Sequence, residues 1–352
     1  MEKKARLMIK SHIMKASTFS SCIKNIEFNL NYYKGNDLVD NIHGLSISEP
    51  PFIKPHIALS PFTNNFLSIH KKNLNKLKTN NLNEFFGNKF TLLPRAIYCI
   101  SVLLKHLGIK KNENIAIFKT FNNDYISRCV TETISSQCGF TREINKDTKA
   151  VMVIHEFGYP YKDLIKLKDE CRQSKIPIIE NCAWTYGTKI DDKHEVGTIG
   201  DFAIYSLPKI LPLQYGGILK GISISDKEIM EKYHVLDSPK NELIISQLVK
   251  YMPKINYYNR KRRNNWFYLS KFFSKKGFET LGDLQEGVYP AAIIVKAKDY
   301  QKLYERYLDF GVETARYYHE ESIILPIHQN ITKNQLDYLC AIFSGQLKST
   351  NV

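Results

Sequence analysis

From Phe86 onward the chain alternates short apolar runs with longer segments in which apolar residues return every three or four positions, the pattern of strands separated by helices. In RAIYCISVLLKHLGI the residues Ile97, Ile100, Leu104 and Leu107 share one helical face, and Gly108 can end the helix. ENIAIF predicts a strand and DYISRCVTETISSQ a helix. KAVMVIHEFG predicts a strand running into a loop, and YKDLIKLKDECRQSK a helix with Leu164, Leu167 and Cys171 on one side. IPIIENCAW and GDFAIYSL predict two further strands. Strands separated by helices of this length predict an α/β fold with a mostly parallel central sheet flanked by helices. Beyond Leu219 the pattern changes to a helical region from about Asp226 to Ser274, then the strand AAIIV, a helix from Asp299 and a terminal amphipathic helix capped by Thr332. Residues 1–85 are rich in Asn and Lys, and their proline-punctuated segment ISEPPFIKPHIALSPF predicts extended, irregular chain. The expected organisation is a poorly readable N-terminal segment (1–85), a large α/β domain (86–225), and connecting helices with a smaller C-terminal α/β domain (226–352).

Ligands of such sheets gather beyond the C-terminal ends of the strands. His155, Asn181, Ser206 and Lys209 all fall at or just past such ends. Lys209 follows the buried run Phe202–Tyr205 and is fenced by Pro208 and Pro212, which hold it close to the core. Desolvation there lowers an amine's pKa and leaves it able to attack a carbonyl carbon, as a lysine that forms a covalent bond to an aldehyde must. A surface lysine in a strand-to-loop turn is the plainer reading of that stretch alone. A lone histidine after a strand, such as His155, is read as structural or peripheral to the site. A phosphate can sit at the N-terminus of the helix opened by Arg95 and Ala96, where backbone N–H groups and the helix dipole point.

Composition narrows the classes. With 43% hydrophobic and 24% charged residues the chain is an ordinary globular protein, long enough at 352 residues for about two to three domains. It lacks an apolar run long enough to span a bilayer, and its N-terminus has no sustained apolar segment of the secretory kind. The seven cysteines are scattered and never spaced as CxxC, which fits reduced thiols in the cytoplasm, and the ten histidines show no close ligand spacing, so no metal is expected. The net charge of +15 favours anionic partners such as nucleotide diphosphates. Its clusters are dispersed and carry no nucleic-acid-binding signature, so nucleic acid is not expected as a partner. The densest, NYYNRKRRNNWFYL, suits a helix cap, a partner subunit or a phosphate.

The string IIENCAWTYGTKIDDKHEVGTIGDFAIYSLPK, the glycine pair Gly216–Gly217, IHEFG and the closing LPIHQ together resemble the DegT/DnrJ/EryC1/StrS sugar aminotransferases, a family of fold-type I pyridoxal phosphate enzymes. The resemblance covers roughly residues 85–345. Family members read E-D-A-A, G, V-G-S-x-G-D, S, K and G-G. Here the matching positions are Glu180 to Ala183, Gly187, Val196 to Asp201, Ser206, Lys209 and the glycine pair. The serine-to-lysine interval is shorter than in the commonest form and similar to a branch with an S-L-R-K motif.

The resemblance implies that Lys209 is the catalytic residue, bonding the cofactor and moving a proton, and that Ser206 and the amides at Arg95 and Ala96 hold the cofactor phosphate. It further implies that Phe121 or a neighbour stacks on the pyridine ring, that Asn181 and Trp184 stand at cofactor-contacting positions, and that the protein is a homodimer. Three departures stand out: Asn181 where the family has the Asp that keeps the ring nitrogen protonated, Trp184 where it has Gln or His, and Pro94 where it has a glycine. Glu180 does not replace the Asp, because neighbours on a strand face opposite ways. The implied function is transfer of an amino group, from glutamate as donor, to a keto sugar attached to a nucleotide, for surface polysaccharide (O-antigen) or glycan synthesis in the cytoplasm. The alternatives are altered chemistry on the same fold (a dehydratase or a transaminase for a non-sugar ketone) and a non-catalytic partner protein. Some dehydratases of the family replace the lysine, so Lys209 argues for transamination.

Overall fold

The computed structural model describes residues 45–47, 53–61, 82–233, 241–282, 284–317 and 320–345; most of the N-terminal segment therefore lies outside the described residues. A short hairpin, β1 (Leu45–Ile47) and β2 (Ile53–Pro55), precedes helix α1 (Asn83–Phe86). The large sheet comprises β3 (Phe90–Leu93), β4 (Asn114–Lys119), β5 (Gly139–Thr141), β6 (Thr148–Ile154), β7 (Ile178–Asn181), β8 (Phe202–Ser206) and β9 (Gly217–Lys220). Their spatial order is β3-β9-β8-β7-β6-β4-β5, and every pair from β8 to β5 is parallel while β9 runs against both its neighbours. The mostly parallel sheet expected from the alternation is thus observed. The sequence reading missed β3, β5 and β9, runs of three or four residues too short to show a period.

Residue parity along the strands decides which face each helix covers. Ile115, Ile117, Met152, Ile179 and Ile204 form one core under α2 (Ala96–His106) and α3 (Arg128–Ser135). Ala116, Val151, Val153 and Ile178, one position out of step, pack on the opposite face against Leu164, Leu167 and Cys171 of α4 (Leu164–Gln173). A buried aliphatic side chain contributes about 1.5–3 kcal/mol at most, so both faces need their helices. After β8 come the single turn α5 (Leu207–Ile210) and, past β9, α6 (Asp226–Glu231). The expected long helical region is then α7 (Asn241–Tyr251) and α8 (Ile255–Lys275), separated by the turn Met252–Lys254 with its proline.

The C-terminal part is a four-stranded antiparallel sheet in the order β10-β11-β13-β12: β10 (Thr280–Leu281), β11 (Ala292–Lys296), β12 (Ala315–Tyr317) and β13 (Ser322–Pro326). One face (Ile293, Val295, Ile323, Leu325) packs under α8, α9 (Tyr300–Asp309) and α10 (Lys333–Phe343), the last opened by a capping box on Thr332. The other face (Ala292, Ile294, Tyr317, Ile324) lies against Phe157 and Tyr159, just past the end of β6. There Gly158, at φ +92°, brings backbone against backbone: a Cβ would stand 2.5 Å from the Tyr289 carbonyl oxygen, and Ala291 N–H donates to the Phe157 carbonyl at 2.7 Å. This explains the glycine of IHEFG. Beside it Lys119 pairs with Glu156 at 3.0 Å, Tyr317 donates to the same carboxylate at 3.0 Å and Asn123 donates to Tyr317 at 2.7 Å, a buried polar bridge between the two sheets. Burial lowers the Lys119 pKa and raises that of Glu156, each opposed by the other's charge.

The end of β7 is fixed by Glu180. Its carboxylate accepts from Gly197 N–H (2.6 Å), Ile199 N–H (2.8 Å), Gly200 N–H (2.6 Å) and His155 Nε2 (3.1 Å), whose Nδ1 accepts from Tyr161 N–H and therefore leaves the proton on Nε2. Cys182 completes a cluster whose possible ligand atoms lie within 4.8 Å of one another, a grouping that local spacing in the sequence did not reveal. Both Glu180 oxygens already serve the loop that carries VGTIGD, so the cluster acts as a staple. Asp201 closes the same loop by accepting from Ile178 N–H at 2.8 Å. Burial alone would raise the Glu180 pKa; the donors from His155, Gly200 and Gly197 outweigh it and hold the carboxyl below its ordinary 4.5. Glu180→Gln is expected to lower stability near pH 7 by about 2–3 kcal/mol in denaturant unfolding. Because the folded-state pKa is depressed, the wild-type advantage is complete above the unfolded pKa and vanishes as pH falls through the folded one. Wild-type and variant stabilities should therefore converge in acid; a constant gap would contradict the staple's charge.

Candidate active site

Lys209 sits in the single turn α5, directly after β8. Ser206 occupies the N-cap position of that turn without capping it, and Pro208 fits the first turn because no N–H is needed there. The turn is anchored from behind. Arg262 of α8 donates through Nη2 to the Ile210 carbonyl and through Nε to Gln329 Oε1 at 2.9 Å, and Gln329 Nε2 also reaches the Ile210 carbonyl at 3.2 Å. Arg262 is buried, and that burial lowers its pKa to about 9. The basic cluster thus contributes packing at its centre, and Arg263 likewise donates to the carbonyls of Gln285 and Val288.

Burial pulls the Lys209 amine down to a pKa of about 8, and no carboxylate pairs with it among the described residues. Its Nζ lies 4.1 Å from the centre of the Trp184 ring, whose face favours the charged form. The amine is therefore poised between its two protonation states near neutral pH.

A pocket of about 410 Å³ opens around this amine. Arg95, Ala96, Asn181, Trp184, Ser206 and Lys209 all line it. Phe121, expected to stack in the site, is not among the lining residues. Its ring packs edge-on against Tyr159 and Tyr317, and its N–H donates to Glu156 at 2.8 Å, so it belongs to the bridge between the sheets. His155 is fully buried in the Glu180 staple.

One end of the pocket is built for an anion. Arg95 is the extended N-cap of α2, with no side-chain cap, so the first N–H groups of that helix are left for a ligand. Gly217 lies flat against the Arg95–Ala96 peptide, where a Cβ would stand 2.6 Å from the Arg95 carbonyl carbon. Gly216 N–H donates to the Pro94 carbonyl at 2.7 Å, so Pro94 contributes an acceptor to this turn. The Ser206 hydroxyl has no partner among the described residues.

The rest of the lining was not legible beforehand. The lining also includes Leu59, Ser60, Cys129, Gln214 and Glu313. Leu59 and Ser60 belong to a strap within the N-terminal segment, bound to the C-terminal part by Ile57 (paired with Val312), by His328 Nε2 to the Ala58 carbonyl at 3.0 Å, and by Asn330 Nδ2 to the Pro61 carbonyl at 2.7 Å. Glu313 accepts from Leu59 N–H at 2.9 Å and from His56 at 3.1 Å. LPIHQ is therefore a clamp: His328 holds the strap and Gln329 holds the turn of Lys209. Burial drives His328 down to a pKa of about 3, so it binds as neutral imidazole.

This donor set suits a flat phosphorylated aldehyde: helix N–H groups and a serine hydroxyl for the phosphate, a low-pKa amine for the carbonyl carbon, and an indole and apolar side chains for the ring. No helix among the described residues is long and apolar enough to cross a membrane.

The profile of the DegT/DnrJ/EryC1/StrS aminotransferase family matches residues 138–242. Over 65 residues the chain is 43% identical to GDP-perosamine synthase of Vibrio cholerae, a stretch that takes in 18% of this chain and 17% of that relative's length. Among solved structures, the aminotransferase TlmJ from Streptoalloteichus hindustanus superposes with a TM-score of 0.60 at 16% identity, over 76% of this chain and 90% of that one. Helicobacter pylori PseC, an aminotransferase involved in the biosynthesis of pseudoaminic acid, gives 0.60 at 14% identity, over 76% and 89%. At such identities the superpositions establish the fold. Residues 138–242, which carry Asn181, Ser206 and Lys209, match the DegT/DnrJ/EryC1/StrS aminotransferase family, and the fold around them is the one these solved aminotransferases share.

Proposed function

We propose that this protein is a pyridoxal phosphate-dependent aminotransferase that moves an amino group from an amino acid, with glutamate as donor, to a keto sugar carried on a nucleotide. The observation that carries the reading is the Lys209 amine, lowered to a pKa of about 8 and facing a pocket whose other end offers helix N–H groups and a free serine hydroxyl. Bound pyridoxal phosphate supplies the carbonyl that exchanges the amino group and a ring that spreads the electron pair left when a C–H bond breaks.

The chain's own residues divide the remaining work. Ser206 and the amides at Arg95 and Ala96 hold the phosphate. In its neutral form Lys209 Nζ takes the proton from the donor's α-carbon and returns it to the carbon that keeps or receives the nitrogen. The Trp184 ring stabilises the ammonium that Lys209 becomes in between. The strap at Leu59 and Ser60 narrows the pocket's far side and limits water.

The sugar part of the reading is supported by the names of the relatives, one a GDP-perosamine synthase and one an enzyme of pseudoaminic acid biosynthesis. A diphosphate-linked substrate also suits the net charge of +15. We place the activity in surface polysaccharide or glycan synthesis, in the cytoplasm, with the protein as a homodimer.

Two measurements test this. Loading the protein with pyridoxal phosphate and trapping the adduct with borohydride should label Lys209 with a rate that rises through a midpoint near pH 8, because the depressed pKa frees the amine above that value. A midpoint near the ordinary 10.5, or labelling that survives Lys209→Ala, would count against an activated lysine. In the second, L-glutamate added to the loaded protein should yield 2-oxoglutarate, and a nucleotide-linked keto sugar should then sustain turnover. Lys209→Ala should lower that turnover by at least about 10³-fold. A loaded protein that releases no keto acid from any amino donor sinks the transaminase reading.

A further inference from the structure

We propose that Asn181 donates a hydrogen bond to the ring nitrogen of the bound cofactor and keeps that nitrogen unprotonated; this rests on the pyridoxal phosphate reading above. A phosphorylated pyridine aldehyde has three polar corners. The α2 amides with Ser206 take the phosphate, and Lys209 takes the carbonyl. On the sheet side of the pocket, the remaining polar group is Asn181. It ends β7 beside β8, pairing in register with Ile204, two residues before Ser206.

The orientation of the Asn181 amide follows from its surroundings. Ala183 N–H donates to Oδ1 at 3.1 Å, and an N–H cannot donate to an NH₂ group, so the oxygen and nitrogen cannot be exchanged. Nδ2 has no acceptor among the described residues. The side chain is only 4% exposed and lines the pocket, so Nδ2 is a donor open to whatever fills that pocket. A ligand that fills the pocket strands such a donor unless it brings a lone pair. An unprotonated ring nitrogen brings one; a protonated ring nitrogen would set donor against donor.

The charges nearby favour the same state. Glu180 faces away, with both oxygens occupied by the staple. Glu313 also lines the pocket and is committed to Leu59 and His56.

The test is the ¹⁵N resonance of pyridoxal phosphate labelled at the ring nitrogen and bound to the full-length protein. In the wild type the signal should fall in the free-base pyridine range and stay there as the pH is lowered through neutrality. In Asn181→Asp it should move into the pyridinium range. A wild-type pyridinium signal, in a protein that forms a Lys209-dependent visible band, overturns this proposal and leaves the cofactor reading intact. Absence of any Lys209-dependent band on loading overturns both. Should Asn181→Asp fail to fold, the wild-type signal decides by itself.

Discussion

An amine held in an apolar wall is the constraint around which this molecule is arranged. Water would keep Lys209 protonated, and an uncompensated charge inside a protein is expensive, so the turn that carries it has to be fixed from outside the pocket. That turn is only four residues long and makes almost no helix of its own. Its position comes from the Ile210 carbonyl, which receives hydrogen bonds from Arg262 and Gln329, residues from two distant parts of the chain. A buried guanidinium is here a structural fastener, and its fork geometry lets it hold a carbonyl and an amide oxygen together.

The same logic extends to the boundary between the two sheets. The pocket wall is shared by the large sheet's strand ends, the strap at Leu59–Ser60 and Glu313 of the C-terminal part. Such a wall is only as constant as the docking that forms it. Docking rests on the apolar contact of Tyr317 and Ile324 with Phe157 and Tyr159, on the close backbone approach at Gly158, and on the Lys119–Glu156–Tyr317 bridge. The bridge leaves few lone pairs unmet, which a buried ion pair requires if it is to hold a geometry without destabilising it.

These relations set what could be read from the sequence. The parallel strands and the helices between them were legible because their apolar residues keep a period over enough positions, as in KAVMVI or RAIYCISVLLKHL. Lys209, Ser206, Asn181, Trp184 and the Arg95–Ala96 helix start were legible because strand ends and a motif locate them, and they do meet in one pocket. Phe121, expected with its neighbours to stack in the site, packs instead on Tyr159 and Tyr317, because an aromatic at a strand end serves a ring stack or a core equally well and only tertiary partners decide between them. The strap, Glu313 and the clamp at His328–Asn330 were invisible because their contacts join residues about 250 or more positions apart with no local pattern. Much of the motif that carries the family resemblance is structural: in ENCA and VGTIGD the glycines, Glu180 and Asp201 build the staple behind β7.

That staple explains how position 181 can depart from the family pattern it resembles without a change in the strand's shape. On β7, neighbouring residues face opposite sides of the sheet. Glu180 has the structural face and Asn181 the ligand face, so the two positions answer to different demands. Replacing a carboxylate by an amide at position 181 leaves the backbone untouched, since Asn181 Oδ1 still accepts the Ala183 N–H that turns the chain away from the strand. Only the property presented to the pocket changes, from a negative acceptor to a neutral donor. What position 181 presents to the pocket is therefore adjustable by itself, while the turn of Lys209, the start of α2 and the clamp remain as the fold fixes them.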